Sequence, residues 1–61
     1  MDEWIGKSCK LKVARNGVEL FYHAKQVLSV TGSHITFVDR YNTPYSYRLS
    51  DVLEVKPLGG A

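Results

Sequence analysis

Apolar and polar residues alternate one for one over much of the chain, the period of a β-strand with one face in a core and the other in water. In KSCKLKVA, Cys9, Leu11 and Val13 take the inward parity, and Ser8, Lys10 and Lys12 the outward one. Asn16-Gly17 follows, and both residues tolerate the positive φ of a type I′ turn, which predicts a tight hairpin. That turn pairs Arg15 with Val18, Val13 with Leu20, Leu11 with Tyr22 and Cys9 with Ala24, so inward residues meet inward residues. The second strand keeps its parity through Val18, Leu20, Tyr22, Ala24, Leu28 and Val30, and Gln26 is the one break. A strand of that length in a small protein must bend sharply to serve two sheets, and the bend is predicted between Ala24 and Val27.

Gly32-Ser33 predicts the next turn, setting Thr31 opposite His34, Val30 opposite Ile35 and Leu28 opposite Phe37. RYNTP reads as a loop. Tyr45, Tyr47 and Leu49 then share the inward parity, in a register that places Phe37 beside Tyr47 and Ile35 beside Leu49. Ser50-Asp51 predicts the cap of a single helical turn, and LEVKP a last short strand stopped by Pro57. One domain is expected over residues 1–57, with a flexible tail at 58–61. The predicted class is all-β: a five-stranded antiparallel barrel with a long bent second strand and a short helical turn before the last.

The order of a Gly-Lys start, an alternating strand, a turn, a long strand, ITFVDR, Tyr-x-Tyr and SDVLEV resembles the SH3-like small-barrel superfold, in its Sm-like and KOW-like variants, over residues 5–57. The resemblance implies a closed barrel, which removes exposed strand edges. NGVEL followed by HITFVDRYNTPYSYRLSDVLEVKP is also similar in layout to Sm-like proteins, including the bacterial RNA chaperone family. Here MDEWIG is too short for that family's N-terminal helix, Phe21-Tyr22 replaces its small mid-strand residue, and Tyr47 to Ser50 lacks its Tyr-Lys-His-Ala stretch.

Composition narrows the chemistry. A chain of 61 residues buries a modest share of its surface, and its single Cys9 offers no internal disulfide. Cys9 takes the inward parity, where a thiol packs as a small hydrophobe. Neither His23 nor His34 shares that parity, and the acids show no acid–base spacing, so no catalytic residue, metal site or cofactor is expected. No apolar run is long enough for a bilayer, and the start MDEWIGK has no signal-peptide core, so a cytoplasmic protein without a membrane partner is expected. The net charge of +2 permits a polyanion partner.

The outward face of the first hairpin carries the candidate chemistry. Lys12 falls opposite Phe21, Lys10 opposite His23 and Ser8 opposite Lys25. Lysines can neutralise phosphates while a base stacks on the phenyl ring, which predicts a nucleic-acid surface for RNA or DNA without sequence preference. Lysine stems packed along the ring would explain the same pattern structurally. Arg40 and Tyr41 in the following loop, and Arg48 outward on the next strand, extend the candidate set; Tyr45 and Tyr47 belong to the core by parity. The alternative is a protein-interaction or homo-oligomerisation surface on this face, with Phe21, Val27 and Val38 as its apolar seam. Trp4 and Ile5 are expected to plug one barrel end.

Overall fold

A computed structural model describes residues 2–58. The chain runs β1 (Cys9–Arg15), β2 (Val18–Val30), β3 (His34–Asp39), β4 (Pro44–Arg48), a 3-10 turn at Leu49–Asp51 and β5 (Val52–Pro57), after an opening 3-10 turn at Asp2–Trp4. The five strands form one antiparallel sheet in the order β4-β3-β2-β1-β5. The class, the strand count, the long β2 and the turn before the last strand are as the alternation and its resemblance imply. Closure is not: β4 and β5 end the sheet and do not pair, so it stays open. The expected tail begins at Leu58, and its remaining residues lie outside the described ones.

The first hairpin takes the predicted register from Cys9↔Ala24 to Arg15↔Val18, closed by Asn16 at φ 53° and Gly17 at φ 78°. Between β2 and β3 the ladder slips twice, between Ala24 and Gln26 and between Val27 and Ser29. Each slip leaves one extra residue, Lys25 and Leu28, out of the pairing, and such bulges bend and twist the strand. The first slip lies within the stretch where the sequence predicts a bend, and the second just past it. β2 serves one sheet rather than the expected two, and the slips reverse the roles of two neighbours. Val27, not Leu28, stands opposite Phe37 and is fully buried, while Leu28 is 45% exposed. Past the last β1–β2 pair, Cys9↔Ala24, the N-terminal segment bonds to β2: Gly6 donates to Val27 O at 2.8 Å, and Val27 N donates to Lys7 O at 3.1 Å. Beside them the Ser8 hydroxyl donates to Lys25 O at 2.8 Å.

The β3–β4 register is two residues off the predicted one, with Phe37 opposite Tyr45 and Ile35 opposite Tyr47. Asp39 shortens the loop: its Oδ1 accepts from Tyr41 N at 2.8 Å and Thr43 N at 2.9 Å, and Asn42 turns the chain at φ 64°. A slip of two keeps parity, so Tyr47 is still buried and Tyr45 half-buried. The turn after β4 takes Arg48 as its N-cap, with no side-chain cap, rather than Ser50 or Asp51.

Cys9, Leu11, Val13, Ala24, Val27, Ile35, Phe37 and Tyr47 make the core. Trp4, Tyr22 and Tyr45 pack against it, whereas Ile5 is 43% exposed; with the sheet open there is no barrel end for Trp4 and Ile5 to plug. Tyr22 meets the Phe37, Tyr45 and Tyr47 rings at centroid distances of 5.5, 4.9 and 5.4 Å, within the range where aromatic pairs attract. The Tyr22 and Tyr47 hydroxyls hydrogen-bond to each other. Val18, predicted inward, is 56% exposed because the β1–β5 pairing ends at Val13↔Val52, leaving the hairpin tip uncovered.

Candidate nucleic-acid interface

Alternation alone separates the two faces of the first hairpin, and β5 completes the outer one. Lys10 lies between His23 of β2 and Lys56 of β5, giving a rung of two lysines and an imidazole with no acid in it. The next rung is Phe21, Lys12 and Glu54. Like charges placed directly opposite across strands cost stability, so the Lys10–Lys56 pair is an unrelieved positive feature of the bare surface. Among the described residues neither lysine has an ion-pair partner.

Phe21 is 72% exposed, so the lysine stems do not cover it. Lys12 Nζ stands 5.8 Å from the ring centroid and 3.5 Å from Glu19 Oε1. With Glu54 as its other cross-strand neighbour, Lys12 is the most locally compensated lysine of the face. It flanks the ring, while Lys10 and Lys56 carry the free charge.

A surface concavity of about 480 Å³ joins Lys10, Phe21 and His23 to Arg40 from the β3–β4 loop. The Arg40 guanidinium lies 5.7 Å from the Tyr41 ring centroid, and Tyr41 is 76% exposed. Lys25, pushed out of the ladder by its bulge, donates to Asn42 Oδ1 at 3.3 Å and ties the hairpin to that loop. Bulge and Asp39-capped turn together place Lys10, Phe21, His23, Lys25, Arg40 and Tyr41 in one neighbourhood. Arg48 is not part of it: it pairs with His34 across β3 and β4 and lines a different cleft.

Lys56 and Glu54 are not singled out by the sequence pattern, because their place depends on β5 pairing with β1, a contact between the two ends of the chain. Their alternation in VLEVKP is the available signal. The apolar seam of Phe21, Val27 and Val38 does not exist as a surface, since Val27 is in the core and Val38 is half-buried. Cys9 is fully buried, and burial pushes its thiol pKa up against the smaller opposing effect of Lys7. No group of His, Cys, Asp and Glu suited to a metal occurs among the described residues, and no helix there is long and apolar enough to cross a membrane. No protein-family model, curated protein or solved structure matches the chain.

Proposed function

We propose that this protein is a small nucleic-acid-binding module that holds a single strand against the outer face of the β5–β1–β2 ribbon. The observation that carries this reading is the acid-free rung of His23, Lys10 and Lys56 beside a phenyl ring 72% exposed to solvent. Lys10, Lys56, Lys25 and Arg40 neutralise backbone phosphates. Phe21 stacks on one base and Tyr41 on another, as aromatic platforms do irrespective of sequence. Modest net charge and a short ribbon suit a site of a few nucleotides rather than a long groove.

The test is binding of fluorescently labelled single-stranded and duplex oligonucleotides at low salt. Removing a stacking ring costs roughly 1–3 kcal/mol per base, so Phe21→Ala weakens single-strand binding by about that amount. An unchanged affinity in Phe21→Ala, with duplex bound as well as single strand, refutes stacking. An absence of nucleic-acid binding, with a Phe21→Ala-sensitive dimer instead, makes the face a protein interface.

A further inference from the structure

The open side of the sheet holds a second cationic feature that the outer-face reading does not use. Where the hairpin tip approaches β4, a cleft of about 400 Å³ is lined by Arg15 of β1, Asn16 of the turn, His34 of β3, Tyr47 and Arg48 of β4, and Asp51 of the 3-10 turn. That size falls within the roughly 300–1,000 Å³ of small-molecule sites. The Arg15 guanidinium stands 6.0 Å from the Tyr47 ring centroid, a contact that holds a guanidinium while leaving its N–H groups free. His34 Nδ1 is hydrogen-bonded to the Ser33 hydroxyl at 2.7 Å, which leaves Nε2 without a partner among the described residues. Neither Arg15 nor Arg48 has an ion pair among the described residues, although the Asp51 carboxylate lines the same cleft.

We propose that this cleft is an oxyanion site that takes a phosphate monoester. The guanidinium fork matches phosphate oxygens in pairs, and here Arg15 of β1 and Arg48 of β4 line one cleft, which His34, the cross-strand partner of Arg48, also lines. Asp51, the one acidic residue lining the cleft, repels a dianion more than a monoanion. Two guanidiniums against one carboxylate still leave the lining net positive, and that net charge favours the doubly charged phosphate. The phosphate comes either from a free mononucleotide or from the phosphorylated end of a strand. Because the cleft shares no lining residue with the Phe21 surface, the site stands or falls independently of the outer-face reading.

The experiment is a titration of the full chain with inorganic phosphate, adenosine 5′-monophosphate, and an oligonucleotide with and without a 5′-phosphate. It is followed by nuclear magnetic resonance at the arginine Nε–H and His34 signals, with chloride matched throughout. Saturable shifts at Arg15, His34 and Arg48 with inorganic phosphate are expected. Arg48→Gln should weaken them about 10- to 100-fold, the range for losing a hydrogen bond to a charged group. Arg15→Gln gives the same test should Arg48→Gln fail to fold, and Phe21→Ala leaves the shifts unchanged. A 5′-phosphorylated oligonucleotide that outcompetes its 5′-hydroxyl form, losing that advantage in Arg48→Gln, assigns the strand end as the source. Mononucleotide binding with no such advantage assigns the free nucleotide. No saturable shift with any of these probes, or shifts centred on Lys10 and Phe21 instead, overturns the proposal.

Discussion

Two adjacent apolar residues, Val27 and Leu28, make opposite predictions, and swapping them for alanine in turn tests the bulged geometry of β2. Val27 is fully buried opposite Phe37 and bonds through its backbone to Gly6 and Lys7. Val27→Ala removes two buried carbons, about 1.6 kcal/mol of transfer energy at ~0.8 per methylene. The hole left behind raises the total to about 2–3 kcal/mol. Leu28 is 45% exposed and sits outside the ladder, so Leu28→Ala removes three carbons that are roughly half wet and leaves no cavity, about 1 kcal/mol. Against a total stability of about 3–9 kcal/mol for a chain of 61 residues, the first change is severe and the second mild. Urea unfolding with linear extrapolation reads both, provided the slope m stays constant. Uninterrupted alternation would instead bury Leu28, and its larger side chain would then cost more. A Leu28→Ala loss equal to or above that of Val27→Ala refutes the bulges.

Three further outcomes follow from the same structure. Burial, then the hydrogen bond shared with the Tyr47 hydroxyl, pushes the Tyr22 pKa from 10.0 up to about 12. A phenol that holds its proton more tightly when folded contributes stability fully below pH 10 and loses it as the pH rises from 10 to 12. Alkaline unfolding followed by circular dichroism should therefore steepen over that window, and Tyr22→Phe should flatten it; an unchanged profile contradicts the buried pair. Gly17 holds φ 78° with open space where a β-carbon would stand, so Gly17→Ala costs backbone strain alone, about 1–2 kcal/mol by urea unfolding, and a neutral result contradicts the turn assignment. Cys9 is sealed in the core with a raised thiol pKa, so labelling by an aromatic disulfide should be at least about a hundredfold slower in the folded protein than in urea; comparable rates would place Cys9 at the surface.

Local patterns make most of the fold legible. The Cys9–Leu11–Val13 alternation and the Asn16-Gly17 turn determine the first hairpin, because period and turn chemistry agree over a short stretch. Parity also identifies Phe37 and Tyr47 as core residues even though their register is two residues off, since a slip of two does not change the face. That difference arises in the loop, where the Asp39 carboxylate closes a shorter turn than composition suggests. Alternation places Leu28 inside in place of Val27 because both are apolar, and the exchange comes with the two slips of the β2–β3 ladder, whose individual positions the sequence does not mark. Long-range choices leave no local mark: β5 pairs with β1 and not with β4, which leaves the sheet open and brings Lys56 beside Lys10. Half of the candidate surface is therefore visible as an alternating hairpin. Its acid-free rung and the cleft shared by Arg15 and Arg48 need the topology.

The most direct test of the outer face as a polyanion surface is the salt dependence of single-strand binding, compared between the unmodified chain and Lys10→Gln/Lys56→Gln. With three to four phosphates neutralised, log affinity against log salt should fall with a slope of about −2 to −3, and removing two of those contacts should flatten it by about 1.4. The same slope in both proteins, or no binding at low salt by either, contradicts the central claim.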